Sequence, residues 1–484
     1  MMCNRSSRQG CGRCGRHKLS SSSGAILSTV GVGALLAIPL LDPLTRARFL
    51  NDVLIQWGFP LIIVAAVALG VLLAARSSAV LGGTLITLGI LGLIVYGPVR
   101  AHQSNLYYAS TVSESTQSVP AFSDRAPHQV AQRQATSSLS GINGTPGRTA
   151  YLAASDDYTT LIDKPGPVNP GYTAVVSQKI ALTGQAKGVN CRFDDSAHDR
   201  MDGWFGNSLT REIAAEGTRL IARGADAWGW CDGDKPMVAV PLTRLEGFVF
   251  PHHVPAGVAV YDGSNGKVEI LSGEETSELP GPVIGISYSE RVNASLKVWN
   301  GTWWSALIKQ SGLTDEVKDE DDTNALNASN FTLAEDGRNA YVSPFTSRAA
   351  SVTVDAVAVM DASVAEAGEA PKMTLYKLAA PRASNAATAD RIKADYSSLG
   401  WAVGLVIQEI VPAGDGVWAA SIGLNQNVTH RVLVKDDGSS CLLDDRGTLI
   451  SCTDDEAAGT GGTAAPGPAG GIPADIAALD DEQL

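Results

Sequence analysis

Two adjacent histidines, His252 and His253, are a candidate for metal binding or acid–base chemistry, the plainer reading being a rigid exposed turn. They sit in the proline-flanked stretch FPHHVPAG, a loop between two predicted strands. Paired imidazoles can ligate a metal or act as a general base near neutral pH. No acid adjoins them in sequence, so an orienting carboxylate has to come from elsewhere in the fold. His198 lies among Asp194, Asp195 and Asp202, a set able to ligate a cation; the plainer reading is a solvated loop. Cys3, Cys11, Cys14 and His17 form C-x7-C-x2-C-x2-H. Three thiolates and an imidazole suit tetrahedral zinc, and C-x2-C is a half-site for it. Zinc in the N-terminal tail is therefore an expectation; the alternative is a disordered basic tail with reduced or lipidated thiols.

The other four cysteines, Cys191, Cys231, Cys441 and Cys452, are expected to form disulfides. Their number is even and allows three connectivities. Cys441 and Cys452 flank CLLDDRGTLISC, which reads as strand, turn, strand and would bring its ends into bonding range. Cys191 and Cys231 flank a predicted helix and could staple it to a strand. Disulfides imply an oxidising compartment.

Familiar catalytic signatures are missing. The chain has no GxxxxGK[ST], HExxH or GxSxG, and no GxGxxG after a strand. Gly266-Lys267 falls in a hairpin turn. The acidic run Asp315–Asp322 lacks the alternating ligands and glycine of a calcium loop. Trp299, Trp303 and Trp304 could stack on a sugar or peptide if exposed, but read more simply as core. Asn-x-Ser/Thr triplets at Asn293, Asn300, Asn327, Asn330 and Asn427 matter only in a glycosylating host. The high Gly and Ala content points instead to a GC-rich bacterium or its phage.

What must position these residues is an uneven chain. Extreme hydrophobicity is confined to Gly24–Val99, where three spans are expected: Gly24–Leu41, Val53–Ala75 and Ala79–Val99. The last two are long enough to cross a bilayer core of about 30 Å, and must be helical to do so. A cleaved signal peptide is the other reading of a basic start followed by an apolar run, but no small-residue cleavage site follows Leu41. The expected lipid bilayer partner follows from these spans. The net charge of −13 lies mainly beyond them, so no nucleic-acid partner is expected.

The expected organisation is a basic cytoplasmic tail at 1–23, transmembrane helices at 24–99 and a polar, flexible stalk at 100–150. A first α+β unit follows at 151–280, a second at 281–380, a third segment with a hairpin at 381–455, and a low-complexity acidic tail at 456–484. Helices are predicted at Asn207–Gly224, Ser289–Ser311 and Thr388–Leu399, each followed by antiparallel strands. DGDKPMVAVPLTR (Asp232–Arg244) echoes DGRNAYVSPFTSR (Asp336–Arg348). Each precedes an alternating strand, ending at Asp262 in one and Asp361 in the other, which suggests a duplicated unit.

The fold class is thus membrane-anchored α+β, with three N-terminal transmembrane helices and two or three helix-plus-antiparallel-sheet units. Its element order resembles cystatin-like and NTF2-like folds, by analogy of order alone. With a cytoplasmic N-terminus, three spans place the large region outside and two place it inside. Arg46, Arg48 and Arg100 favour two spans; the four cysteines favour three.

The expected function is a membrane-anchored extracytoplasmic binding or scaffold module of a bacterial or phage-type envelope assembly. Its partner would be another protein or a second copy of the chain, and no cofactor is expected beyond the zinc. The alternative is an envelope hydrolase using a His/Asp site. Conduction ranks last, because the spans carry no charged residue.

Overall fold

The computed structural model describes residues 42–76, 78–137, 142–164, 171–179, 188–299, 312–315, 331–347, 353–364, 368–414, 416–424 and 427–453. The expected span Gly24–Leu41, the candidate zinc set Cys3, Cys11, Cys14 and His17, Trp303, Trp304 and the C-terminal tail lie outside these residues.

The described chain begins with α1 (Pro43–Arg48), whose first turn is capped by Asp42 accepting from the Thr45 N–H at 2.9 Å. A π-helical segment, Phe49–Gln56, leads to α2 (Gly58–Arg76) and α3 (Ala79–Ala109). These are the two described helices long and apolar enough to cross a membrane, not the three expected. They pack as a hairpin through small residues. A Cβ at Gly82 would meet the Ala74 amide and the Gly70 carbonyl, and one at Gly89 would meet Val67. Leu, Ile and Val point outward on both helices. That reverses the pattern of a water-soluble helical hairpin and suits lipid, where close backbone approach drives helix pairing. The second expected span began at Val53, but its first five residues belong to the π-helical segment and Trp57.

The described residues of the expected flexible stalk at 100–150, 100–137 and 142–150, include helix and strand. Helix α3 continues to Ala109, with Tyr108 buried. Strand β1 (Val112–Ser115) follows, then α4 (His128–Ser137) with Val130 and Ala131 buried. Polar composition misleads here because the few large apolar residues, such as Tyr108, Val119, Phe122 and Val130, are buried together with Ala126, Ala131 and Ala135, and because the buried charge of Arg125 is paired with Glu409.

Next come β2 (Thr145–Leu152), β3 (Asp157–Asp163), β4 (Tyr172–Gln178) and β5 (Val189–Arg192), a four-stranded antiparallel sheet in sequence order. Helix α5 (Leu209–Glu216) is shorter than expected because Gly217 ends it. It precedes β6 (Ile221–Ala222), β7 (Trp228–Asp232), β8 (Lys235–Glu246), β9 (His252–Asp262) and β10 (Lys267–Leu271). Here β6 and β7 both pair with β8, which pairs with β9, which pairs with β10. Helix α6 (Ile286–Ser295) precedes β11 (Leu313–Asp315), β12 (Phe331–Glu335), β13 (Arg338–Ser347), β14 (Thr353–Asp361) and β15 (Met373–Ala383). Likewise β11 and β12 pair with β13, β13 with β14, and β14 with β15; β1 adds in parallel to β15. The registers match as well. Met237 faces Asp262 and Pro241 faces Val258, while Ala340 faces Asp361 and Pro344 faces Val357. Last come α7 (Asn385–Asp395) and a five-stranded meander: β16 (Val406–Gly414), β17 (Val417–Leu424), β18 (Asn427–Lys435), β19 (Ser440–Asp444) and β20 (Leu449–Cys452).

The cystatin-like and NTF2-like expectation is not what the sheets form. Such folds wrap one sheet around one helix, whereas the two middle sheets here are covered on both faces. Val238, Val240, Ala259 and Tyr261 pack toward β3 and β4. Their neighbours Ala239, Val258 and Val260 share a core with Tyr341, Phe345, Ala356 and Met360. Val342, Val357 and Val359 then face Ile410, Trp418 and Val432 of the last sheet. Successive side chains of a strand point to opposite faces, so unbroken apolar runs such as VAVPL and AVAVM belong to strands buried on both. The result is four sheets in series, with α5, α6 and α7 contributing to successive cores.

Candidate functional site

The two cysteine pairs form as disulfides. Cys191 on β5 bonds Cys231 on β7, with Cα atoms 5.8 Å apart, and so joins two sheets rather than a helix to a strand. Cys441 and Cys452 face each other across β19 and β20, as the hairpin reading expected.

The acids around His198 do not converge on it. Asp194 accepts the Ser196 N–H at 2.8 Å, and His198, Asp194 and Asp195 are exposed. Asp199 is pushed up to about 6 by burial and by the neighbouring Glu212. Among the described residues, no group of three His, Cys, Asp or Glu could hold a metal ion. Trp299 donates its indole N–H to Glu114 at 3.0 Å and packs partly against the core.

His252 and His253 open β9, after the tight turn at Gly247 (φ +82°) and the loop Phe248–Pro251. That loop rests on the helical hairpin. Phe248 covers Gly58, Phe250 stacks on Tyr96 with ring centroids 6.5 Å apart, and the Tyr96 hydroxyl donates to the Val249 carbonyl at 2.8 Å. Arg100 donates to the Gln56 carbonyl at 2.9 Å, Asp42 pairs with Arg211 at 2.9 Å, and Asn51 donates to the Thr218 carbonyl at 3.3 Å. Both ends of the hairpin are therefore bound to the folded region.

Beyond this seam, the His252 ring lies against that of Tyr107, tilted by 31° with centroids 3.6 Å apart. His253 donates its backbone N–H to the Tyr108 hydroxyl at 2.8 Å, and its Nδ1 lies 3.1 Å from Thr243 Oγ1. Among the described residues, no carboxylate hydrogen-bonds to either ring. Glu246, opposite His252 in the β8–β9 register, is held by Arg244 at 2.7 Å. A general base needs a group that stabilises its protonated form. His253 has the reverse: burial, then Arg291, Arg223 and His252, push its imidazole down to about 3. Sequence reasoning found the histidines but not these neighbours. Tyr108 is 145 positions away from His253, and the arginines come from the β6 end and α6.

This environment has a consequence for acid stability. Unfolded His253 binds a proton near pH 6.5, and the folded form resists one down to about 3. Stability contributed by neutral His253 is present above the unfolded value and is lost as pH falls from about 6.5 toward 3. His253→Gln is expected to flatten the decline of the denaturant midpoint across that window. Superimposable pH curves for variant and wild type would show that His253 titrates alike folded and unfolded.

No family model matches this chain, and no curated protein or solved structure is similar to it.

Proposed function

We propose that this chain is a membrane-anchored binding or scaffold protein of a bacterial or phage-type envelope assembly, with its large folded region outside the cytoplasm. One observation carries the reading: α3 passes without a break from the apolar hairpin into the core, where Tyr108 packs with Trp228, Tyr288 and Tyr341. Its 31 residues span about 46 Å, more than a bilayer core needs. The surplus helix is part of the fold, so the region is held rigidly at the membrane rather than tethered to it. That suits a scaffold, and the surroundings of His253 favour binding over hydrolysis.

Both hairpin ends contact the folded region, so they share its side of the bilayer. If Gly24–Leu41 also crosses and the basic tail stays in the cytoplasm, that side is the outer one. The two disulfides support this, because such bonds persist in oxidising compartments. Arg46, Arg48 and Arg100 weigh the other way. The matching strand pairings around β8 and β13 support an origin of both sheets in one duplicated α+β unit. The partner in this reading is another envelope protein or a second copy of the chain.

Labelling intact cells with an impermeant maleimide tests the orientation. Cys191, Cys231, Cys441 and Cys452 are expected to label only after an impermeant reductant. Labelling that requires permeabilisation and no reductant would place the domain in the cytoplasm and overturn the envelope role.

A further inference from the structure

Where the loop between β8 and β9 meets the hairpin, it leaves aromatic surface uncovered. Phe248 is 49% exposed, and Trp57, the residue before α2, is 54% exposed. The loop is not loose there. Gly247 turns the chain at φ +82°, His252 Nδ1 lies 3.2 Å from the Phe250 carbonyl, and the Tyr96 hydroxyl donates to Val249. Phe248 meets Phe59 edge-on at 6.4 Å, and Phe59 lies 5.3 Å from Tyr96. With Phe250 stacked on Tyr96, four rings from two helices and one loop form a single cluster. Nor is the bare surface scattered. The Leu61 N–H donates to the Trp57 carbonyl at 2.9 Å, so Trp57 shares a helix face with Leu61, which is itself exposed. The patch therefore runs from the loop into the outward-facing side chains of α2.

The cluster stands at one end of the apolar hairpin. From Ala79 to Tyr96, α3 rises about 26 Å, near the thickness of a hydrocarbon core. After Val99 the helix turns polar, with Arg100, His102, Gln103, Ser104 and Asn105. Arg100 lies 6.0 Å from the Trp57 ring centroid while it donates to the Gln56 carbonyl. Rings beside a guanidinium, where an apolar helix turns polar, suit the zone in which acyl chains meet headgroups, and aromatic residues gather there. We infer that Phe248 and Trp57 are seated in that zone, so that the β8–β9 loop is a membrane contact made by the folded region itself, apart from the spans. This step rests on the membrane reading above. The occupant is lipid because the patch is continuous with the faces of the hairpin that the same reading gives to lipid. The unbroken α3 and the loop then fix the tilt of the folded region as well as its distance from the bilayer.

The test replaces Phe248 with photoreactive benzoylphenylalanine and, in a second variant, does the same at Leu88, which is exposed midway between Ala79 and Tyr96. Each full chain, checked for cooperative melting, is reconstituted in phosphatidylcholine vesicles, irradiated and analysed by mass spectrometry. Both positions are expected to gain the mass of one phospholipid. Fragmentation is expected to place the Phe248 adduct on the glycerol and upper acyl carbons, and the Leu88 adduct nearer the chain ends. Lipid at Leu88 with no adduct at Phe248 would overturn the loop contact and leave the membrane reading standing. Lipid at Leu88 with only a crosslinked dimer at Phe248 would also overturn it, and would give the patch to a second copy of the chain. Lipid at neither position would overturn the loop contact and the membrane reading together.

Discussion

Glu409→Leu is expected to lower the unfolding free energy by about 3–5 kcal/mol, the cost of stranding a buried charge. Arg125 and Glu409 have side chains only 4% and 5% exposed. They meet through two bonds of 2.9 Å each, from Nη1 to Oε2 and Nη2 to Oε1. Nε donates to the Thr332 carbonyl at 2.9 Å, and the second hydrogen of Nη1 is shared between the Ala126 carbonyl and the Tyr158 hydroxyl. Burial opposes the charge on Arg125, and Glu409 more than offsets it, so its pKa is raised. Glu409 lies on β16, Thr332 on β12 and Tyr158 on β3, so one guanidinium joins three of the four sheets. Without the carboxylate, Leu keeps the volume, but Arg125 stays charged with nowhere to go. The double variant Arg125→Met/Glu409→Leu is expected to recover most of the loss, because it removes the desolvation cost together with the attraction. Denaturant midpoints of the detergent-solubilised chain, followed by tryptophan fluorescence, measure both. A loss under about 1 kcal/mol in the single variant would mean that water reaches Arg125.

How much of this was legible in the chain depends on the range of the interaction. The turns at Asp232-Gly233 and Asp336-Gly337 announce themselves, because glycine supplies the positive φ found at Gly233 and Gly337, +59° and +74°. The Cys441–Cys452 pairing follows from one hairpin. The echo between Asp232–Arg244 and Asp336–Arg348 reaches as far as strand register. The stacking of the sheets was harder to see. A strand such as Ala356–Met360 shows that both its faces are apolar, but not which sheets cover them. Polar composition hid the structure of residues 100–137, since Arg125 is buried only through a partner 284 positions away. The surroundings of His253 were invisible for the same reason: Arg223 follows β6 and Arg291 lies on α6, and only the fold brings their charges to bear on it.

Replacing Cys191 and Cys231 together with alanine is expected to cost about 4 kcal/mol, and the same change at Cys441 and Cys452 less. In the chain-entropy view, a cross-link stabilises by restricting the unfolded chain, and more so for a longer loop. The sequence separations are 40 and 11. Position widens the gap. Cys191 is buried, and its bond holds β5 to β7 over a core that includes Leu161, Val175 and Val238. Losing it frees one sheet to part from the next. The second bond closes the outermost hairpin, where Leu449 and Ile450 are exposed on β20, so fraying there leaves the core intact. Melting curves of the two double variants, with intact mass confirming the surviving disulfide, separate the two bonds. A larger loss from the hairpin pair would mean that β20 anchors the last sheet and that the first bond merely decorates an interface already held by its side chains. The predicted order ties folding to redox state: in a reducing environment the junction between the first two sheets would weaken first.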